Sequence, residues 1–267
     1  MRVTILGCGP AGLIAAHMLE REGVDKQDIV IFSNRPQPSP IQGAQFLHKP
    51  LRYDEEPQGE IEVVRIGTEV LYADKVYGEP KETSWRRTQP KMMAWPLIPI
   101  YERLWERWES QLIEETVTAT FMEALLEGQD KVFSSVPPQA YCKNPAHTFR
   151  ETRILLGKPV RPLPIPNMIV YSGRVCDQWY RMSNIFGEDG IEFGPSQALE
   201  PDAWKEEIAH HFDGDPTEGM KPLGTNCDCF MSGGEVDKGT LYRIGRFGQW
   251  DRRILLHHVE DQVRTAL

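Results

Sequence analysis

The segment from residue 3 to residue 32 carries the clearest pattern of apolar and polar positions in the chain. Val3–Leu6 is apolar except for Thr4, which is typical of a strand buried on both faces. A glycine-rich turn follows, and apolar residues then recur with helical spacing as far as Gly23. Asp28–Phe32 has the pattern of a second buried strand. This succession of strand, turn, helix and strand predicts the βαβ unit of a dinucleotide-binding fold.

The rest of the chain predicts further helices and a β-rich region. Glu60–Tyr77 has the pattern of a β-hairpin that turns at Gly67–Thr68, and Val175–Ser183 has that of a strand. An apolar stripe that includes two tryptophans predicts a helix over Pro99–Glu115. Other helices are predicted at 121–126, 202–212 and 254–266, and other strands at 130–138, 168–171 and 240–244.

The turn GCGPAG has a mechanical reason for each glycine. Gly7 permits the tight turn, Gly9 lets a pyrophosphate approach the backbone, and Gly12 lets the helix pack closely on the strand. The helix start, which contains Pro10 and Ala11, presents its positive dipole end and free amide groups to the phosphates. A side chain at Gly9 or Gly12 is expected to abolish dinucleotide binding and to leave the protein folded.

The end of the second strand leaves the identity of the dinucleotide open. A carboxylate that binds the adenosine ribose usually lies at this place, and the chain has Ser33-Asn34-Arg35 there. Ser33 or Asn34 is able to accept a hydrogen bond from a ribose hydroxyl, more weakly than an anion would. Arg35 would instead suit the 2′-phosphate of NADP.

The charge balance narrows the class of partner. The chain has 30 lysines and arginines against 39 aspartates and glutamates, a formal net charge of −9. A negative surface disfavours binding to duplex nucleic acid and to anionic membranes. The first 20 residues have neither a cleavage site for secretion nor an uninterrupted apolar span, so we expect a cytoplasmic protein with a small-molecule substrate. The tryptophan-rich helix fits both a core and an oligomer interface, so the oligomeric state stays open here.

The five cysteines fit a reducing compartment, because an odd number in a chain without an export signal argues against a disulfide framework. Cys227 and Cys229 form one closely spaced pair, and we considered four histidines as partners: His210, His211, His257 and His258. A structural zinc site usually has a second spaced pair, and none is visible among these residues. The sequence analysis therefore predicts no metal site.

Three passages resemble the FAD-dependent oxidoreductases related to amine oxidases, UDP-galactopyranose mutases and protoporphyrinogen oxidase. GCGPAG is similar to the pyrophosphate turn of that superfamily, and DKVFSSVPP, which contains Val136, is similar to its strand that crosses beside the cofactor. LYRIGRFGQWDRRILLHHVEDQV is similar to its C-terminal strand, glycine turn and helix. GAQFLHKPL and GRFGQWD also resemble short flavoprotein-like proteins of bacteriophages.

This resemblance implies an α/β fold with a Rossmann-like, three-layer FAD-binding domain and an inserted antiparallel-sheet substrate domain. The first domain is expected to combine residues 1–50, 98–140 and 238–267, and the second residues 51–97 and 141–237. FAD is the implied cofactor, with NADP as the alternative.

The resemblance also assigns residues to the site. The segment around Gly43 would pass under the flavin ring, so that Gln45 contacts the flavin or substrate and His48 exchanges a proton. In the C-terminal passage, Gly245 would form the turn, Arg246 would bind the pyrophosphate, and the backbone amides from Gln249 and Trp250 to Ile254 would face the cofactor.

One substrate-side residue comes from the residue pattern itself. The predicted strand Val175–Ser183 has Asp177, Trp179 and Arg181 on one face and Gln178, Tyr180 and Met182 on the other, and either face would place an aromatic residue and polar groups over a flavin. Arg181 is able to bind a carboxylate or phosphate through two hydrogen bonds. The expected function is FAD-dependent amine or C–N oxidation, or a flavin-dependent rearrangement. The alternatives are a nucleotide-binding protein without redox turnover and an NADP-dependent reductase.

Overall fold

Two β-sheets form the frame of the chain in the computed structural model, which describes residues 2–35, 37–38, 41, 45–51, 59–78, 89–128, 131–195, 201–230 and 240–267. The first sheet is parallel and contains, in spatial order, β13 (Thr240–Arg243), β7 (Lys131–Ser134), β1 (Val3–Leu6), β2 (Ile29–Ser33) and β6 (Leu112–Glu114). The second sheet is mixed and contains, in spatial order, β12 (Thr217–Thr225), β8 (Phe149–Gly157), β11 (Glu188–Phe193), β10 (Arg181–Ile185), β9 (Met168–Gly173), β4 (Gly59–Gly67), β5 (Lys91–Pro96) and β3 (Phe46–Leu47).

Seven α-helices accompany the sheets. They are α1 (Pro10–Arg21), α2 (Glu69–Tyr77), α3 (Leu97–Trp108), α4 (Ala119–Glu127), α5 (Pro201–Ile208), α6 (Gly245–Gln249) and α7 (His258–Ala266), counted over the described ranges. None of these helices is long and apolar enough to cross a membrane.

The parallel sheet is covered by helices on both faces. On one face, α1, α3 and α7 bury an apolar cluster that includes Leu13, Trp105 and Val263. On the other face, α4 packs Met122 and Leu126 against the sheet. All four residues of β1 are buried, as its apolar run predicts. The predicted three-layer α/β fold is therefore confirmed, and β1 and β13 belong to the same sheet.

The second sheet departs from the expected antiparallel arrangement, because β4 and β9 run parallel. These two strands come from separate excursions of the chain, one between β2 and β6 and the other between β7 and β13. Helix α5 covers one part of this sheet, where Trp204 and Ile208 pack on Leu155 and Phe193.

The predicted hairpin over Glu60–Tyr77 is wrong in its second half, which forms α2. Thr68 begins this helix by accepting a hydrogen bond from the backbone amide of Leu71 (3.4 Å), and Gly78 ends it in the left-handed conformation at φ +68°. The apolar residues of this segment fit the spacing of a short helix as well as that of a strand. Thr68 and Gly78, which are typical residues for the two ends of a helix, favour the helix.

The predicted strand over Val175–Ser183 is correct only from Arg181 onward. The residues before Arg181 form turns, and the ammonium group of Lys75 in α2 binds three backbone carbonyl oxygens of this region. Its Nζ donates to the carbonyl oxygens of Ser172 (3.3 Å), Arg174 (2.7 Å) and Trp179 (3.2 Å). Asp177 and Trp179 therefore do not share a strand face with Arg181.

Two helix boundaries also differ from the prediction. The helix expected over Pro99–Glu115 ends at Trp108, because Leu112–Glu114 pairs with β2 as the edge strand β6. The final helix begins at His258 instead of Ile254, and the glycine turn before it is the short helix α6.

Candidate functional site

The glycine turn follows β1 at the carboxyl end of the parallel sheet, as predicted. Gly7 adopts φ +94°, and a β-carbon added at Gly12 would collide with the carbonyl oxygen of Gly7. A β-carbon added at Gly9 would meet no atom within 4 Å, so this face of the turn is open. Helix α1 starts at Pro10 without a side-chain cap, which leaves the amide groups of its first turn available to an anion.

This geometry corrects one expectation. A side chain at Gly12 would disturb the fold itself, because the obstacle is the backbone of Gly7 and not a ligand. Of Gly9 and Gly12, it is Gly9 that has open surroundings, so a side chain there would affect a bound ligand and not the fold.

Two further segments contact the glycine turn. A β-carbon at Gly7 would lie 2.5 Å from the hydroxyl of Ser135 and 3.3 Å from Val136, and this hydroxyl donates to the carbonyl oxygen of Leu6 (2.9 Å). A β-carbon at Gly245 would lie 2.7 Å from that of Ala11. Val136 and Gly245, both predicted as cofactor residues, therefore lie beside the turn.

The end of β2 has no carboxylate, and the hydroxyl group of Ser33 at this place already takes part in hydrogen bonds within the protein. Ser33 is buried, and its Oγ accepts hydrogen bonds from the thiol of Cys8 (3.1 Å) and from the backbone amide of Arg35 (3.2 Å). Asn34 and Arg35 are exposed. A ribose at this place would therefore meet a hydroxyl that already accepts two hydrogen bonds, with no carboxylate in Ser33-Asn34-Arg35.

A buried cluster of charged groups occupies the mixed sheet, and we call it the Glu192 cluster. It consists of Glu192, Arg181, Lys221 and Tyr180. Glu192 pairs with Arg181 (2.8 Å) and Lys221 (3.3 Å), and it accepts a short hydrogen bond from the hydroxyl of Tyr180. The side chains of the three charged residues are only 10%, 14% and 21% exposed, in the order given.

The electrostatics of the Glu192 cluster show that it is crowded with positive charge. Burial would raise the pKa of Glu192, but Arg181 and Lys221 outweigh it and lower that pKa to about 2. Burial lowers the pKa of Lys221 to about 8, with Arg181 and Arg246 acting in the same direction and Glu192 against them. Three cationic side chains thus interact with a single carboxylate.

His48 interacts electrostatically with Arg181 and Arg246, the same cations that act on Lys221. Burial, followed in size by the charges of Arg181, Arg246 and His258, lowers its pKa from 6.5 to about 4. Its imidazole is therefore neutral at pH 7. The predicted residues His48, Arg181 and Arg246 are brought together, although they come from three distant parts of the sequence.

Other predicted residues have structural partners. The carbonyl oxygen of Gln45 accepts from the amide of Leu97 at the start of α3 (3.3 Å), while Gly43 lies outside the described residues. The side-chain amide of Gln249 donates to the carbonyl oxygen of Arg243 (3.1 Å). The indole of Trp250 is fully buried and donates to the carbonyl oxygen of Arg150 (3.0 Å).

The expected row of free amides after α6 is not found. The amides of Trp250, Asp251 and Ile254 donate to carbonyl oxygens within the segment from Arg246 to Asp251, at 3.1 to 3.2 Å. These amides are consequently not directed at a cofactor. Arg246 itself donates to the carbonyl oxygen of Ile254 (3.2 Å) and interacts electrostatically with Glu192.

A cavity of about 490 Å³ lies apart from both the turn and the Glu192 cluster, between β12 and the segment after α6. Its lining includes Arg150, Asn226, Asp251, Arg252 and Arg253. The predicted cofactor residues Gln249 and Trp250 also line it, but the glycine turn and Arg181 do not, so this cavity is separate from the turn.

Glu192 and Lys221 were not predicted as site residues, whereas Tyr180 was predicted on the strand face opposite Arg181. The only available signal for Glu192 was a single acid between Ile191 and Phe193. An acid between two buried apolar residues is unusual unless a cation faces it.

Comparisons with known proteins define the fold. No family model matches the chain, and no curated protein sequence matches it either. Among solved structures, a reduced UDP-galactopyranose mutase superposes with a TM-score of 0.59 at 12% identity, covering 99% of this chain and 93% of the mutase. A flavoprotein/dehydrogenase from Cytophaga hutchinsonii gives 0.53 at 13% identity, over 100% of this chain and 78% of that one.

A third match is the myxobacterial chondrochloren halogenase, described as a variant of FAD-dependent halogenases. Its TM-score is 0.53 at 12% identity, over 99% of this chain and 72% of the halogenase. Together these matches show that the chain has the Rossmann-like fold of FAD-dependent flavoproteins.

Proposed function

We propose that this protein is an FAD-dependent enzyme that acts on an anionic small molecule. The observation that carries the proposal is the position of two consecutive residues. Gly245 packs on Ala11 at the glycine turn, and the guanidinium of the next residue, Arg246, interacts with Glu192 and His48. The residue that follows Gly245 at the dinucleotide turn is therefore within electrostatic range of the cationic cluster.

The residues at the turn fit the pyrophosphate of FAD. The open face of Gly9 and the uncapped start of α1 provide a surface for phosphate oxygens, and Val136 lies beside it. Ser33 stands where a ribose-binding acid is usual, so the affinity would depend on the phosphate contacts. The fold of the flavoprotein matches favours FAD over NADP, and Arg35, which would suit the 2′-phosphate of NADP, is exposed.

The charge of the cluster supports an anionic substrate. Bound FAD would supply the electron-transfer chemistry. Arg181 and Lys221 are placed to hold a carboxylate or phosphate, and neutral His48 is placed to accept a proton. A free amine, which is cationic at neutral pH, would be repelled by the same groups. Oxidation of an acid-bearing amine and rearrangement of a phosphorylated substrate both remain compatible with this charge.

This assignment includes the domain division. We propose that residues 1–50, 98–140 and 238–267 hold the cofactor, and that residues 51–97 and 141–237 supply the substrate side. The Glu192 cluster lies in the second group.

The first test measures flavin content. The purified protein should be yellow and release FAD on denaturation. Gly9→Ala should weaken FAD binding at least about tenfold, because a methyl group in the open face removes close phosphate contacts worth over about 1.4 kcal/mol. Gly128→Ala is the matched control, since Gly128 also has a negative φ and lies far from the turn. A colourless protein that binds no FAD would refute the proposal, as would full FAD retention by Gly9→Ala.

The second test measures the charge preference of the substrate side. Benzoate and benzylamine have nearly the same size and opposite charge. Benzoate should perturb the visible spectrum of the bound flavin at far lower concentration than benzylamine, because the cluster has an excess of cations. Equal responses, or a preference for benzylamine, would contradict an anionic substrate while leaving FAD binding intact.

A further inference from the structure

Three cysteines and one histidine meet where the chain passes between the two sheets. Cys142 and His147 lie in the loop between β7 and β8, and Cys227 and Cys229 follow β12. The four donor atoms lie within 4.8 Å of one another. They are brought together because β8 and β12 pair with each other, with Phe149 opposite Thr225.

The distances match tetrahedral zinc coordination. With Zn–S of about 2.3 Å and Zn–N of about 2.0 Å, a tetrahedron places two sulfurs about 3.8 Å apart and a sulfur and a nitrogen about 3.5 Å apart. The Sγ atoms of Cys142 and Cys229 are 3.6 Å apart. His147 Nδ1 lies 3.3 Å from the first sulfur and 3.5 Å from the second. No disulfide joins these cysteines, whose bonded sulfurs would be only about 2.05 Å apart.

The surroundings of the four residues suit a bound metal. The outer nitrogen of His147, Nε2, lies 3.5 Å from the carboxylate of Asp228, and while it carries no proton it accepts from the side-chain amide of Asn144 (3.1 Å). A histidine that binds a metal through one nitrogen keeps its proton on the other, and a carboxylate is the usual acceptor for that proton.

A buried arginine supplies charge compensation. Three thiolates, a neutral imidazole and Zn²⁺ have a net charge of about −1. Arg243 of β13 is buried and donates to Cys227 Sγ (3.3 Å) and to the carbonyl oxygens of Cys227 (2.6 Å) and Cys229 (3.0 Å). This cation would balance the site and also fixes the backbone that presents two of its ligands.

We propose that Cys142, His147, Cys227 and Cys229 form a structural zinc site. Four protein ligands close the coordination sphere and leave no position for a substrate, which is typical of structural and not catalytic zinc. Binding releases the protons of the three thiols. The ion joins the two chain segments that connect the sheets, so it stabilises their relative position. This proposal replaces the prediction that the chain has no metal site. His210, His211, His257 and His258 are not ligands in it.

The sequence contains the second pair that was missed. Cys142 and His147 are separated by four residues, which is a usual metal-ligand spacing. The pair mixes two residue types and lies 80 residues or more from Cys227, so only the pairing of β8 and β12 reveals it.

The test is the metal content of the protein purified under reducing conditions from zinc-supplemented cells. Mass spectrometry of the metals should find about one zinc per chain. Cys142→Ser and Cys227→Ser should each reduce the bound zinc at least about tenfold. Cys176→Ser is the matched control, because Cys176 is an exposed cysteine outside the cluster, and it should retain full zinc content.

A second measurement does not depend on the folding of any variant. Cobalt(II) added to the reduced, metal-free wild-type protein should give the visible absorption of tetrahedral cobalt–thiolate, and zinc should abolish it. Absence of this absorption, unchanged zinc in Cys227→Ser, or a disulfide between Cys142 and Cys229 in the purified protein would overturn the proposal. None of these readouts requires FAD, so they are independent of the proposed function.

Discussion

Glu192→Gln tests whether the buried carboxylate holds the cationic cluster together. The substitution keeps the shape and the ability to accept a hydrogen bond from Tyr180, and it removes the negative charge between Arg181 and Lys221. The pKa of Glu192 falls from 4.5 to about 2, and a shift of this size corresponds to about 3 kcal/mol of net favourable interaction with the ionised form. Breaking a buried ion pair from one side costs about 3–5 kcal/mol, which agrees in magnitude. We expect the free energy of unfolding to fall by about 3 kcal/mol.

The assay is urea unfolding at pH 7, followed by tryptophan fluorescence. Glu218→Gln is the matched control, because Glu218 also pairs with two cations, Lys205 (2.8 Å) and Arg153 (3.5 Å), on the same sheet. Its side chain is 41% exposed, so this variant should lose at most about 1 kcal/mol. The comparison separates burial of the charge from the number of ion pairs.

Equal losses for the two variants, or a loss below about 1 kcal/mol for Glu192→Gln, would refute the reasoning. If Glu192→Gln does not fold, the double variant Glu192→Gln/Lys221→Met tests whether the unpaired cation is the cause. Removing the uncompensated cation should restore a folded protein, and a double variant that is no more stable than Glu192→Gln would also refute the cluster's role.

Two further predictions concern the turn and the pH response. In the FAD-free protein, Gly12→Ala should lower the melting temperature strongly while Gly9→Ala leaves it unchanged, because only the former meets the Gly7 backbone; equal melting temperatures would contradict this difference. Burial lowers the pKa of His257 from 6.5 to about 4, so the unfolded chain binds more protons between these values and stability falls as the pH drops through this window. His257→Asn should flatten the fall in unfolding free energy between pH 6.5 and 4, whereas a matched change at exposed His210 should not, and equal slopes would disprove the assignment.

The sequence was sufficient where the determining contacts are local. The βαβ unit, including the positive φ of Gly7, follows from residues that are neighbours in the chain. The segment Glu69–Tyr77 was misassigned because its apolar residues fit both periods, although Thr68 and Gly78 provided the end signals of a helix.

The candidate sites depended on contacts that no local pattern encodes. Glu192 is paired with Arg181 on the adjacent strand and with Lys221 two strands away, so neither its partner nor its charge state can be derived from its own strand. The turns before Arg181 likewise follow from Lys75, more than 90 residues earlier in the chain.

The parallel pairing of β4 with β9 has a consequence for synthesis on the ribosome. Glu62 pairs with Met168, so the mixed sheet is completed only after more than 100 further residues have been made. The parallel sheet also waits for its edge strand β13, which begins at Thr240. Long-range pairings of this kind slow folding, because the entropy of closing a long loop is lost before the contacts form. The nascent chain therefore carries the open edge of β4 while more than 100 further residues are translated, and this edge is the place where a chaperone would protect it from pairing with other chains.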